Sequence, residues 1–215
     1  DGWFYRDDDH QMTRSADNVF DIYERSVGGN AIFLLNIPPN REGRFAQKDV
    51  EVLEETGRRI RSTYGNNLLS DATGARELLD NDNDTYISLE DGDNFIITLP
   101  EKRTINRIVL QEAIATVGER AEMFAVDALQ DGEWHEIAAS TNIGHKRILR
   151  FNDIETDGLR FRLISSRAPV AISGISAHYS QWAPFNGLAF MAPQMLEYDA
   201  TVPRGRPCPA SSSAI

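Results

Sequence analysis

Ala31-Ile32-Phe33-Leu34-Leu35-Asn36-Ile37 is an apolar run without alternation, the pattern of a strand covered on both faces, as in a parallel sheet. Pro38-Pro39 ends it, and Gly43 sits in the loop beyond. Ahead of it, Val19, Phe20, Tyr23 and Val27 mark one face of a helix, capped by Ser15 and closed by Gly28-Gly29. Behind it, Val50, Leu53, Gly57, Ile60 and Tyr64 recur at spacings of three and four, predicting a helix over about residues 47–64 with those positions inward. Helix, buried strand, helix is one unit of an α/β fold, and one unit cannot cover its own strand. Residues 1–65 are therefore expected to be the end of a larger α/β domain. The opening at Asp1-Gly2-Trp3, with no Met and no apolar signal segment, reads as a cut inside a longer protein.

From Asn66 the pattern shortens. Residues 94–99, 104–112, 122–129, 134–139, 146–151, 159–164 and 171–179 read as strands, separated by Asp91-Gly92, Pro100, Asp131-Gly132, residues 142–144, Asp157-Gly158 and Pro169. Short strands at this spacing predict an antiparallel β-sandwich over residues 66–180. Alternation is clearest at Ile105, Ile108 and Leu110, and at Leu159, Phe161 and Leu163, where Arg160 and Arg162 point outward. Five of the nine prolines fall within residues 181–215, so that stretch is expected to be an extended or disordered tail.

Charge narrows the partners. Twenty-two basic against 33 acidic residues give a formal net charge of −11, which repels nucleic-acid backbones and anionic membrane surfaces but not a neutral sugar. No apolar run approaches the length of about 20 residues that a spanning helix needs. The lone cysteine, Cys208, excludes an internal disulfide framework.

Few motifs carry chemistry. Asp80-Asn81-Asp82-Asn83-Asp84 opens like a calcium loop, but Thr85 and Asp91 stand where an EF-hand needs Gly and Glu; a solvated turn and a different oxygen-ligand site both fit. Asn83-Asp84-Thr85 is also a glycosylation sequon. His10, His135, His145 and His178 stand at unrelated spacings, which argues against zinc. Trp134, His135, His145, Lys146 and Arg147 are either a sugar-stacking patch at one end of the sandwich or, for the tryptophan, core. Asp7-Asp8-Asp9-His10 reads as a charged loop.

Gly2-Trp3-Phe4-Tyr5, Asp21-Ile22-Tyr23, Ser26-Val27-Gly28 and above all Leu34-Leu35-Asn36-Ile37-Pro38-Pro39-Asn40-Arg41-Glu42-Gly43 resemble the end of the catalytic barrel of glycoside hydrolase family 29, the α-L-fucosidases. Residues 104–112, 118–120 and 143–151 resemble the discoidin-like sandwich that follows that barrel. The resemblance implies the last α-β-α segment of a (β/α) barrel followed by an antiparallel discoidin-like β-sandwich. It further implies a retaining exo-fucosidase that acts on α-1,3/1,4-linked fucose through an Asp nucleophile and a Glu acid/base. Both carboxylates would lie upstream, so this chain would hold no catalytic residue and would need the N-terminal part of the barrel as its partner. Trp3 and Asn36 would line the fucose pocket, and Asp80, Asp82 and Thr85 would hold a structural calcium. A fucosylated glycan is the implied ligand, and a secreted, periplasmic or lysosomal-type compartment the implied location. The alternative is a non-catalytic carbohydrate-binding or structural sandwich.

Overall fold

The computed structural model describes residues 4–6 and 12–182; Trp3, residues 7–10 and the tail from residue 183 lie outside the described residues. Helix α1 spans Ala16–Ser26, and the Ser15 hydroxyl accepts from the Asn18 amide, the expected N-cap. Helix α2 spans Gln47–Tyr64. Between them, residues 31–40 are extended but join no sheet. Here the expected doubly covered strand is not found. Phe33, Leu35 and Ile37 are half-buried, whereas Ile32 and Leu34 are 94% and 84% exposed. Without a neighbouring strand the backbone has no ladder to join, and only the helix-facing side of the run finds cover.

The remaining elements are strands: β1 (Thr73–Gly74), β2 (Ile87–Leu89), β3 (Asn94–Glu112), β4 (Ala121–Gln130), β5 (Glu133–Ser140), β6 (Arg147–Ser166) and β7 (Val170–His178), with a 3-10 turn at Arg76–Leu78 after β1. All pairings are antiparallel, in the order β2-β7-β3-β6-β4-β5, with β1 on β3. Strands β3 and β6 belong to two layers at once. The first part of β3 pairs with the last part of β6, beside β4; the last part of β3 pairs with the first part of β6, beside β7. Pro100 and Asp157-Gly158, read as breaks in the sequence, mark where the long strands turn from one layer into the other, at a register shift between Thr98 and Arg103. Proline is tolerated there because a ladder bond is already lost at the irregularity.

Burial follows the layers. Residues 94–99 alternate exposed and buried, while residues 105–110 are buried without interruption. Ile105, Ile108 and Leu110 point into the interior with Leu149, Phe124, Phe161 and Ile175. A bulge at Asn106 keeps Ile105 and Ile108 on one face although they are three apart. Val109 and Ile148 are buried yet stand outside that interior cluster, because α1 and α2 cover the outer face of this layer.

That contact is ionic at its centre. Glu24 of α1 accepts from Arg107 Nε at 2.7 Å, Arg107 Nη2 at 3.2 Å, Arg150 Nη1 at 3.3 Å and the Tyr64 hydroxyl at 2.6 Å. Asp21 accepts from the same Arg150 nitrogen at 2.7 Å and from Arg25. The Glu24 and Arg107 side chains are 1% and 2% exposed, so each charge depends on the other to offset desolvation. Burial and the Glu24 charge push the Tyr64 phenol well above its ordinary pKa, which keeps it a donor. The polar character of this face also corrects the expected inward side of α2. Its buried positions are Asp49, Thr56 and Thr63, with the Thr63 hydroxyl 3.4 Å from that of Ser180; Val50, Leu53, Gly57, Ile60 and Tyr64 are only half-buried.

A second tie precedes the extended segment. Gly29 bridges Arg147, and the Ile148 amide donates to the Gly28 carbonyl at 2.8 Å. Asn30, at φ 62°, accepts from the His145 amide and donates to Glu119. Its side chain lies directly over Gly144, where a Cβ would stand 2.1 Å from the Asn30 amide nitrogen.

Candidate functional site

The loop at residues 80–85 is built by its own side chains. The carboxylates of Asp80 and Asp82 accept from the amides of Asp82 and Asp84 at 2.8 and 2.9 Å, the Asx turns that Asp favours. The Thr85 hydroxyl then sits 2.7 Å from Asp80 Oδ2, 3.0 Å from the Asp82 carbonyl and 3.1 Å from the Glu77 carbonyl. One hydroxyl has one proton, so three acceptors crowd a single donor. The amide of Asp82 and the hydroxyl of Thr85 hold the exposed Asp80 carboxyl below its ordinary pKa. The three expected calcium residues are thus together, and one carboxylate, one hydroxyl and two carbonyls are donors that a hard cation accepts. Among the described residues, no group of three or more His, Cys, Asp or Glu side chains gathers for a metal.

Asn36 lies at the far end of the extended segment, exposed. It lines a cleft of about 380 Å³ bounded by Ile22 of α1, Phe33 and Leu35 of the segment, and Asp49 and Leu53 of α2. Asp49 is a residue that the sequence reading missed. It is 8% exposed, accepts the Thr13 hydroxyl at 3.0 Å through one oxygen, and leaves the other oxygen buried with no hydrogen-bond partner among the described residues. Nothing in the pattern sets it apart, because an acidic residue in a first helical turn is ordinary.

Other buried acids are committed. Glu112 accepts the amides of Arg120, Ala121 and Gly144 at 2.7–3.1 Å, and Asp127 is clamped by Arg160 and Arg162 at 2.7–2.9 Å. Burial alone would raise the Asp127 pKa, but the two guanidiniums outweigh it and the group lies below its ordinary value.

The supposed sugar patch does not assemble. Trp134 stands at the start of β5 with the Arg160 guanidinium 4.9 Å from its ring centre, whereas His145 lies beyond the end of that strand, against Asn30. A strand of that length spans roughly 25 Å. His178 is buried, with Asn66 and Ser176 each at 2.8 Å from one of its ring nitrogens and the Tyr64 ring at 5.2 Å. Among the described residues, no helix is long and apolar enough to cross a membrane.

The chain is 29% identical over 202 residues to alpha-L-fucosidase 1 of Arabidopsis thaliana, covering 85% of this chain and 39% of that protein. A relative from Oryza sativa subsp. japonica matches at 29% over 190 residues, 36% of its length, so the chain spans under two fifths of these curated relatives. Among solved structures, SpGH29 superposes with TM-score 0.77 at 29% identity, over 83% of this chain and 42% of that one. The Ruminococcus gnavus GH29 fucosidase in complex with fucose superposes with TM-score 0.74 at 25% identity, over 83% and 39%. The chain is therefore similar to the C-terminal part of GH29 α-L-fucosidases. Residues 61–177 match the F5/8 type C domain model, while the structural likeness covers more of the chain than that span. With over half of its residues inside that match, the chain belongs to the F5/8 type C domain family.

Proposed function

We propose that this chain is the C-terminal part of a retaining exo-α-L-fucosidase that removes terminal α-1,3/1,4-linked fucose from glycans. The observation that carries the reading is the extent of the likeness to SpGH29, 83% of this chain, which takes in more than the sandwich. On this reading residues 31–37 form a strand of a (β/α) barrel. Ile32, Leu34 and Asn36 face the upstream part of that barrel, and Trp3 and Asn36 line the fucose pocket. A retaining mechanism needs two carboxylates about 5–5.5 Å apart: an Asp that forms the fucosyl-enzyme bond, and a Glu that protonates the leaving oxygen and later deprotonates water. Both belong upstream. Among the described residues, the buried acids are held in ion pairs or by amides, except Asp49, one oxygen of which accepts the Thr13 hydroxyl while the other has no partner. The sandwich positions the last barrel helices through Glu24, Arg107 and Arg150, and the 80–85 loop takes a calcium ion that stiffens it.

An aryl α-L-fucoside tests the proposal. The 215-residue chain alone should give no turnover, whereas a longer gene product carrying the upstream Asp and Glu should cleave it. Turnover by the short chain would refute the assignment of both carboxylates. An inactive longer product would leave a carbohydrate-binding or structural module.

A further inference from the structure

Asn83-Asp84-Thr85 is the one N-x-[S/T] triplet in the sequence, and its middle residue is not proline. The structure places it where such a triplet can act. Asn83 is exposed, in the turn between the 3-10 segment and β2. Its neighbours fold back on the loop, Asp80 and Asp82 through their Asx turns and Thr85 through its inward hydroxyl. The Asn83 amide is left with no hydrogen bond among the described residues. The strand that follows, β2, ends the β2-β7-β3-β6-β4-β5 order and pairs within it only with β7. A group attached at Asn83 therefore stands beside a sheet edge, clear of the interior.

We propose that Asn83 is an acceptor for an N-linked oligosaccharide. The Asn83 Nδ2 forms a bond to the anomeric carbon of a lipid-diphosphate-linked oligosaccharide. The C–O bond to the diphosphate breaks, the lipid diphosphate leaves, and the amide loses one proton to the transferase; nothing is oxidised or reduced. The transferase reads the hydroxyl two residues on, which in the folded loop is half-buried and surrounded by Asp80, Asp82 and Glu77 oxygens. Transfer therefore precedes closure of the loop. Once attached, a bulky hydrophilic group next to β2 blocks strand pairing at that edge, as charged or proline-bearing edges do elsewhere.

The test is to secrete the full chain from a eukaryotic host and measure intact mass before and after peptide:N-glycosidase treatment. One oligosaccharide increment is expected, removed by the enzyme, absent in Asn83→Gln and retained in Thr85→Ser and Asn81→Gln. A wild-type chain without an increment, from cells that glycosylate a co-secreted control, would overturn the proposal, as would an increment that survives Asn83→Gln. Timing is read separately with chain made in a bacterial host and offered to the purified transferase and its lipid-linked donor. A peptide covering residues 78–90 should be modified and the folded chain should not; equal modification of both would overturn the order of events.

Discussion

Glu24→Ala removes the acceptor on which the helix–sandwich contact is centred. Arg107, 2% exposed, keeps only its 2.9 Å bond to the Asn106 carbonyl, the Tyr64 hydroxyl loses its acceptor, and Arg150 keeps Asp21. Deleting one partner of a buried ion pair costs about 3–5 kcal/mol, since the other charge stays desolvated. For a chain of this size each kcal/mol lowers Tm by roughly 2–4 °C, so a fall on the order of 10 °C is expected. Urea titration followed by far-UV circular dichroism gives the free energy. The paired replacement Glu24→Leu with Arg107→Leu should recover at least half of the loss, because buried ion pairs exchanged for apolar groups are often neutral or stabilising. A single-variant loss below about 1 kcal/mol, the level of a solvent-exposed pair, would refute the view that this contact is buried and mutually dependent. A double variant worse than the single one would refute the argument that the lone charge is what costs.

Gly144→Ala should destabilise by at least about 1–3 kcal/mol, the cost of a strained backbone position, because φ there is 63° and the Asn30 side chain fills the Cβ position; Gly92→Ala, at φ 91° with open space around it, should keep the Asn30 contact intact in amide exchange. His178 is held below its ordinary pKa by burial, so the unfolded chain binds a proton that the folded chain refuses. Stability should therefore fall as pH drops below about 6.5, and His178→Gln should flatten that part of the pH–stability curve. Calcium added to chelator-treated chain at a hundred times its Kd should stabilise by about 2.7 kcal/mol. That gain should vanish in Asp80→Ala, and no gain in the wild type would refute the ion site.

Both helices were legible because their signals are local: the Ser15 cap, the Gly28-Gly29 stop and the spacing within 47–64 are visible one turn at a time. Strands were legible as pieces. Pro100 and Gly158 looked like ends, because a sequence carries no mark for a strand that continues past an irregularity; Gly158 is instead required by the close approach of the Ile97 carbonyl, 2.7 Å from where a Cβ would sit. Asp80, Asp82 and Thr85 lie together because they are neighbours in the chain. Trp134 and His145 were grouped wrongly because a strand lies between them. The Glu24–Arg107–Arg150 cluster joins residues more than eighty positions apart. Its one trace in the sequence is an arginine beside apolar residues in each strand, Arg107 before Ile108-Val109-Leu110 and Arg150 after Ile148-Leu149, and that trace does not say which acid pairs with it.

The crossing of β3 from one layer to the other also sets how freely the chain can drift. Before Pro100 only every second position faces the interior, so Asn94, Ile96 and Thr98 are open to replacement while Phe95, Ile97 and Leu99 are not. After Arg103 both sides of the same strand are enclosed, and from Ile105 to Leu110 no position is spare. A saturation library across β3 should therefore show tolerance with a period of two that disappears midway along a single continuous strand.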